Sequence, residues 1–231
     1  MNRSVELADL TWPAVEAGLG PDLLLAVPVG STEQHGRHLP LSMDSDLAVA
    51  LCRGLARRRP QVLVAPLLPY GSSGEHADFP GTLSIGQPAL ESVLVELGRS
   101  ASATFGRIVF VSGHGGNAEP VHRAVARLRE EGRDARGFQP SWVGDAHAGR
   151  TETSLALALD PDRVRLSEAV PGDRRPLAEL LPVLRSAGVR AVTASGVLGD
   201  PDGADAAEGA ALLERLVDDL GNAAKGWWGQ L

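Results

Sequence analysis

The stretch LLLAVPV at positions 23–29, closed by Gly30, is apolar at every position. An extended chain carries alternate side chains to opposite faces, so an unbroken apolar run of this length fits a central parallel strand covered on both sides. What surrounds it repeats the theme. Positions 46–58 place Leu47, Val49, Leu51 and Leu55 among alanines at helical spacing, with basic residues at the C-terminal end where cations favour the helix dipole. Positions 62–68 read as a second strand, 88–102 as a helix, 107–111 (RIVFV) as a third buried strand, and 119–131 as a helix stopped by Gly132. A strand at 136–143, a short helix at 152–159 and a longer amphipathic helix at 204–224 complete the alternation. Strands alternating with helices predict an α/β fold with a mostly parallel central sheet and helices on both faces. The segment 160–202, rich in Pro, Gly, Asp and Arg, has the least regular pattern and reads as a lid or a subunit contact. No repeat or low-complexity tract divides the chain, so one domain is expected over 1–231.

The bulk properties exclude several functions. With 231 residues and 43% hydrophobic content, the chain is long enough to bury a core. A net charge of -7 repels a polyanion, and no Lys/Arg run neutralises successive phosphates, so nucleic acid is not an expected partner. No apolar stretch reaches the roughly 18 residues of a membrane span, and the first residues lack a signal-peptide core, so no membrane association and a cytoplasmic location are expected. Cys52 is the single cysteine, which excludes an internal disulfide and a thiolate metal cluster. Its place in a predicted helix marks it as a small core residue rather than a nucleophile. The G-x-S-x-G elbow, the P-loop and a G-x-G-x-x-G after the first strand are all missing.

Three polar, glycine-rich segments follow predicted strands: GSTEQH (30–35), SGHGGN (112–117) and DAHAGRTETS (145–154). Strand C-termini of an open α/β sheet line one crevice, so these segments are expected to converge there. Glu33 and His35, two apart, point to the same side of an extended segment, and Asp44 returns at the mouth of the next helix. His and carboxylate groups without thiolates suit Zn, Mn or Fe(II). Glu33, His35, Asp44, His114 and one of the pair His147 and Glu152 are too many ligands for one open catalytic ion. Two divalent ions about 3.5 to 4 Å apart would use them all, with Asp44 as the bridge. Of His147 and Glu152, one would serve the metal and the other the substrate. The glycines at 113, 115 and 116 are expected to take positive φ and approach a ligand; Asn117 is expected to cap the next helix, and Thr151 or Thr153 the one after it. Taken singly, each piece has a plainer reading. The GHGG turn also fits a tight connection or an anion-binding nest, Glu33 a capping carboxylate, and His38 or His122 a solvated or hydrogen-bonded structural residue.

Long motifs turn this expectation into a resemblance. GSTEQHGRHLPL (30–41), YGSSGEHADFPGTLS (70–84), SGHGGN (112–117), DAHAGRTETS (145–154) and GVLGDP (196–201) resemble the creatininase family over roughly positions 22–209. The resemblance implies an α/β/α sandwich, a homo-oligomer with a hexamer favoured, a binuclear site, and cyclic or peptide amides as substrates. Carried residue by residue, it implies that Glu33, Asp44 and His114 hold one ion and His35, Asp44 and Glu152 the other, with His147 as proton donor or acceptor. Glu75 and His76, from the same or a neighbouring subunit, and Gly115, Gly116 and Asn117 are expected at the substrate. Within the family, the motifs are most similar to members that trim a radical-modified precursor peptide, freeing its modified C-terminal Val-Tyr pair. A small-molecule amidohydrolase acting on creatinine or a formamide, and a silent metal-containing binding subunit, stay open. The departures are Arg37 where the family usually has Pro, Ser112 where Asn is common, and Met43 and Ser45 flanking Asp44 where Thr is common.

Overall fold

Strand β1 (Leu24–Val29) is buried along its whole length. In the computed structural model, which describes residues 4–18, 20 and 22–227, it pairs in parallel with β2 (Val62–Val64) on one side and β3 (Arg107–Ser112) on the other. The strand β4 (Ala135–Phe138) adds to β3, giving a four-stranded sheet in the order β2-β1-β3-β4. Short helix α1 (Trp12–Glu16) precedes the sheet, and α2 (Met43–Arg58), α3 (Gln87–Ala101) and α4 (Ala118–Glu130) are its crossovers. After β4 come α5 (Arg150–Leu159), α6 (Leu177–Ala187) and α7 (Ala206–Ala223).

The doubly apolar strand explains the layering. Leu24 and Ala26 enter a core with Leu47, Leu51 and Leu55 of α2, Leu155 of α5 and Leu216 of α7. Leu25, Val27 and Val29 enter a second core with Leu90 and Leu94 of α3 and Val121, Ala124 and Leu128 of α4. Helices therefore cover both faces, as the α/β reading requires. Pro28 sits inside this central strand without breaking it. Its carbonyl accepts from Leu68 N on the β2 side, so its missing N–H falls beyond Val64, where β2 has already ended.

Three element boundaries and one whole helix differ most from the sequence expectation. The strand expected over 62–68 ends at Val64, just before Ala65 and Pro66, and touches β1 again only through an isolated bridge from Leu68 to Val29. The strand expected over 136–143 stops at Phe138, where Gln139 and Pro140 leave the sheet. Helix α2 begins at Met43 rather than 46, which puts Asp44 inside its first turn. The irregular segment 160–202 contains α6, which tolerates Pro182 in its interior. Among the described residues, no helix is long and apolar enough to cross a membrane.

Candidate functional site

Three loops leave the same edge of the sheet. The loop after β1 carries Ser31, Glu33, Gln34 and His35; that after β3 carries His114; the chain after β4 carries His147 and enters α5, whose first turn holds Glu152. Asp44 comes from the first turn of α2. Glu33 and His35 are fully buried, and Asp44, His114, His147 and Glu152 are each at least nine-tenths buried.

Asp44 lies at the centre of the group. Its Oδ1 is 3.3 Å from His35 Nε2, and its Oδ2 is 3.4 Å from His114 Nδ1. Beyond His114, Glu33 Oε2 is 3.2 Å from Nε2; beyond His35, Glu152 Oε2 is 3.9 Å from Nε2. Two sets of donor atoms, Glu33–Asp44–His114 and His35–Asp44–Glu152, each fall within 4.8 Å of one another, and they share Asp44. A third set, Glu33–His35–His147, overlaps both. Glu33 Oε1, His35 Nε2 and Asp44 Oδ2 are buried without any hydrogen-bond partner. Leaving such atoms unpaired costs kilocalories each. All three belong to this one cluster of oxygen and imidazole donors, a combination that fits divalent cations.

Charge and burial compete within this cluster. Burial disfavours imidazolium at His35 and His114, but Asp44, Glu152 and Glu33 around the first, and Glu33, Asp44 and Glu75 around the second, prevail and raise each to about 10. Burial pushes Asp44 up to about 6 despite the nearby histidines. For Glu33, burial is outweighed by His114, His76 and His35, which hold its carboxyl well below the usual range. At His76 and His147 burial wins, taking them down to about 2 and about 4, so both rings are neutral at physiological pH.

Close backbone packing shapes the floor. A Cβ on Gly113 would lie 2.0 Å from the Asp44 carbonyl oxygen, and one on Gly116 would lie 2.3 Å from the Ser72 carbonyl oxygen. None of Gly113, Gly115 and Gly116 has positive φ, contrary to expectation; glycine is required at Gly113 and Gly116 because neighbouring backbone leaves no room for a side chain. Asn117 does not cap α4 through its side chain. Instead its Oδ1 accepts from Ser72 N and its Nδ2 donates to the Gly30 carbonyl, tying three loops together beneath the site. Neither Thr151 nor Thr153 caps α5: Asp145 Oδ2 accepts from Arg150 N there, while Thr153 Oγ1 bonds the buried His38. His122 is exposed on α4.

Glu75 and His76 reach the cluster from a 3-10 turn, Gly74–His76, of the same chain. His76 Nε2 is 3.3 Å from Glu33 Oε1, and Glu75 Oε1 is 3.6 Å from His114 Nε2. Above them opens a cleft of about 1300 Å³, lined by Gly115, Gly116, His147 and Glu152 on the site side and by Trp142, Arg174, Leu177 and Leu181 on the other. Helix α6 thus gives the irregular segment a place at the cleft wall.

Gln34 went unnoticed in the sequence because it reads as a spacer between two charged residues. Its side-chain nitrogen lies 2.8 Å from His76 Nδ1 and 3.1 Å from the Gly196 carbonyl oxygen. Ser31 is a second such residue, donating to Glu33 Oε2 at 2.7 Å.

The family model described as creatinine amidohydrolase matches residues 8–224. The chain belongs to the creatininase family. It is 52% identical over 211 residues to the mycofactocin precursor peptide peptidase of Mycolicibacterium smegmatis, covering 88% of this chain and 85% of that one. It is 31% identical over 260 residues to the creatinine amidohydrolase of Pseudomonas putida, covering 96% and 97%. A solved structure described as "Creatininase Mn" superimposes with a TM-score of 0.83 at 28% identity, covering 99% of this chain and all of that one. In this creatininase-family chain, Ser112, where the sequence resemblance expects Asn, is locally occupied: its hydroxyl donates to the His114 carbonyl and accepts from His114 N. Arg37, another departure, is exposed.

Proposed function

We propose that this protein is a binuclear, metal-dependent peptidase that releases the modified C-terminal Val-Tyr unit from the mycofactocin precursor peptide. The observation that carries the reading is the pair of donor sets sharing Asp44 at the floor of a cleft. Glu33, Asp44 and His114 would hold one divalent ion, and His35, Asp44 and Glu152 the other, with zinc, iron and manganese all suited to such donors. When bound, the ions supply Lewis acidity, which generates the nucleophile from water and polarises the scissile carbonyl. His147 moves the proton. Its Nε2 is engaged by the Gln34 carbonyl at 2.8 Å, which leaves Nδ1 to take up a proton and return it to the leaving nitrogen. Glu75, His76, Gly115 and Gly116 border the substrate, and Asn117 supports the loops they stand on. A homo-oligomer, with a hexamer favoured, and a cytoplasmic location belong to the same proposal.

The cleft volume favours a peptide over a small cyclic amide, since small-molecule pockets run at roughly 300 to 1,000 Å³ and this one exceeds them. The similarity to a creatinine amidohydrolase keeps small-amide hydrolysis as the second reading. Incubating metal-replete protein with the modified precursor peptide and following products by mass spectrometry separates the two. Release of the Val-Tyr unit is expected. Hydrolysis of creatinine or a formamide under conditions that leave the peptide intact would overturn the peptidase reading.

A further inference from the structure

Gln34 lies between two proposed metal ligands, yet its side chain turns away from them into a buried polar seam. Gly36 N donates to its Oε1 at 2.9 Å, which fixes the oxygen end of the amide. The nitrogen end then faces two acceptors, the Gly196 carbonyl at 3.1 Å and His76 Nδ1 at 2.8 Å. Flipping the amide would set its oxygen against the Gly196 carbonyl and its nitrogen against Gly36 N–H, losing both bonds. Gly196, at φ +82°, admits the amide because a Cβ there would lie 1.9 Å from Oε1.

Two hydrogens on the amide nitrogen serve these two acceptors. His76 Nδ1 therefore accepts, and its ring hydrogen resides on Nε2, the atom 3.3 Å from Glu33 Oε1. The Gln34 backbone acts on the second histidine. Its carbonyl is an acceptor only, so His147 Nε2, 2.8 Å away, carries the hydrogen. The 3.1 Å approach of the same Nε2 to the Gln34 side-chain nitrogen then sets donor beside donor and is no bond. In a neutral ring His147 Nδ1 is then the nitrogen without a hydrogen, 4.0 Å from both Glu33 Oε1 and Glu152 Oε2.

We propose that Gln34 is a positioning residue that assigns the ring hydrogens of both histidines, so that His76 presents an N–H donor and His147 a bare nitrogen to the same corner of the cleft beside Glu33. The two rings are in contact, tilted by 46° with 4.5 Å between centroids. For the hydrolysis proposed above, on which the catalytic part of this inference rests, the arrangement supplies a hydrogen-bond donor for the substrate's carbonyl oxygen and a proton acceptor within one corner.

Nitrogen-15 NMR of the histidine rings in zinc-loaded protein reads the assignment directly, without substrate. The expected spectrum has the His76 hydrogen on Nε2 with Nδ1 bare, and the His147 hydrogen on Nε2. Gln34→Leu removes the donor to His76 Nδ1 and should give a mixture of His76 tautomers; Gln34→Glu, which offers an acceptor instead, should move the hydrogen to Nδ1. In Gln34→Leu, kcat should fall about 10- to 100-fold, the usual cost of losing a group that orients a reactive one, with zinc content and KM close to the parent's. A parent spectrum with the hydrogen on His76 Nδ1, or a Leu variant with the parent's tautomers and kcat, would overturn the proposal. The spectrum stands whichever amide is cleaved, so failure of the peptidase reading is separately visible.

Discussion

Asp44 turns one oxygen toward each of two buried histidines, and each histidine has a further carboxylate beyond it. A single side chain thus joins both halves of the proposed centre. Asp44→Ala should abolish binding of both ions, measured by elemental analysis, and make the melting temperature insensitive to added zinc. At a hundredfold excess over Kd, binding of one ion contributes roughly 2.7 kcal/mol to stability, so the loss is easily seen; full metal occupancy in the variant would refute the shared ligand. His147 tests a different role. His147→Ala should keep its metals while turnover drops on the order of 10²-fold, whereas lost metal would reassign His147 to the Glu33–His35–His147 donor set. The charged and titratable members of this site were legible in the sequence because glycine-flanked His and carboxylate groups stand out after apolar runs. Gln34, Ser31 and the structural role of Asn117 were not, because a neutral amide or hydroxyl gains its meaning from its partners, which for Gln34 and Asn117 include groups 42 to 162 residues away and for Ser31 include Ser73.

Helices fix how accurately these residues meet. Glu152 lies in the first turn of α5, and α5 is clamped by α7: a Cβ on Gly209 would lie 1.9 Å from the Ser154 carbonyl oxygen, and Ser154 Oγ accepts from Asp205 N. Gly209 therefore occupies a helix interior where glycine costs about 1 kcal/mol relative to alanine, for the sake of close approach. Gly209→Ala should lower the melting temperature despite its better helix propensity, because overpacking costs roughly 1–3 kcal/mol. An unchanged or raised melting temperature would show that the helices have room to part. At this scale, α3 and α4 were readable from periodicity and β1 from its unbroken apolar run, while the start of α2 and the strand ends were not. The strands β2 and β4 end where Pro66 and Pro140 lead the chain away from the sheet, and α6 was masked by Pro182 and by the surrounding Pro, Gly and Arg.

Across the whole molecule, the order β2-β1-β3-β4 sets the loops after β1 and β3 side by side, because those strands are neighbours. The chain after β4 closes the group from the adjoining position. Parallel strands all release their loops at the same edge, which is why residues from positions 33 to 152 reach one point. Layering and topology class followed from the apolar run at 23–29, whereas the cleft wall formed by α6 required the packed chain. The central claim is that this edge binds two cations with Asp44 between them. Anomalous diffraction from a crystal grown with zinc or manganese measures it most directly: the expected map has two peaks about 3.5–4 Å apart, both within coordination distance of Asp44. A single peak, or two peaks away from Glu33, His35, Asp44, His114 and Glu152, would contradict it.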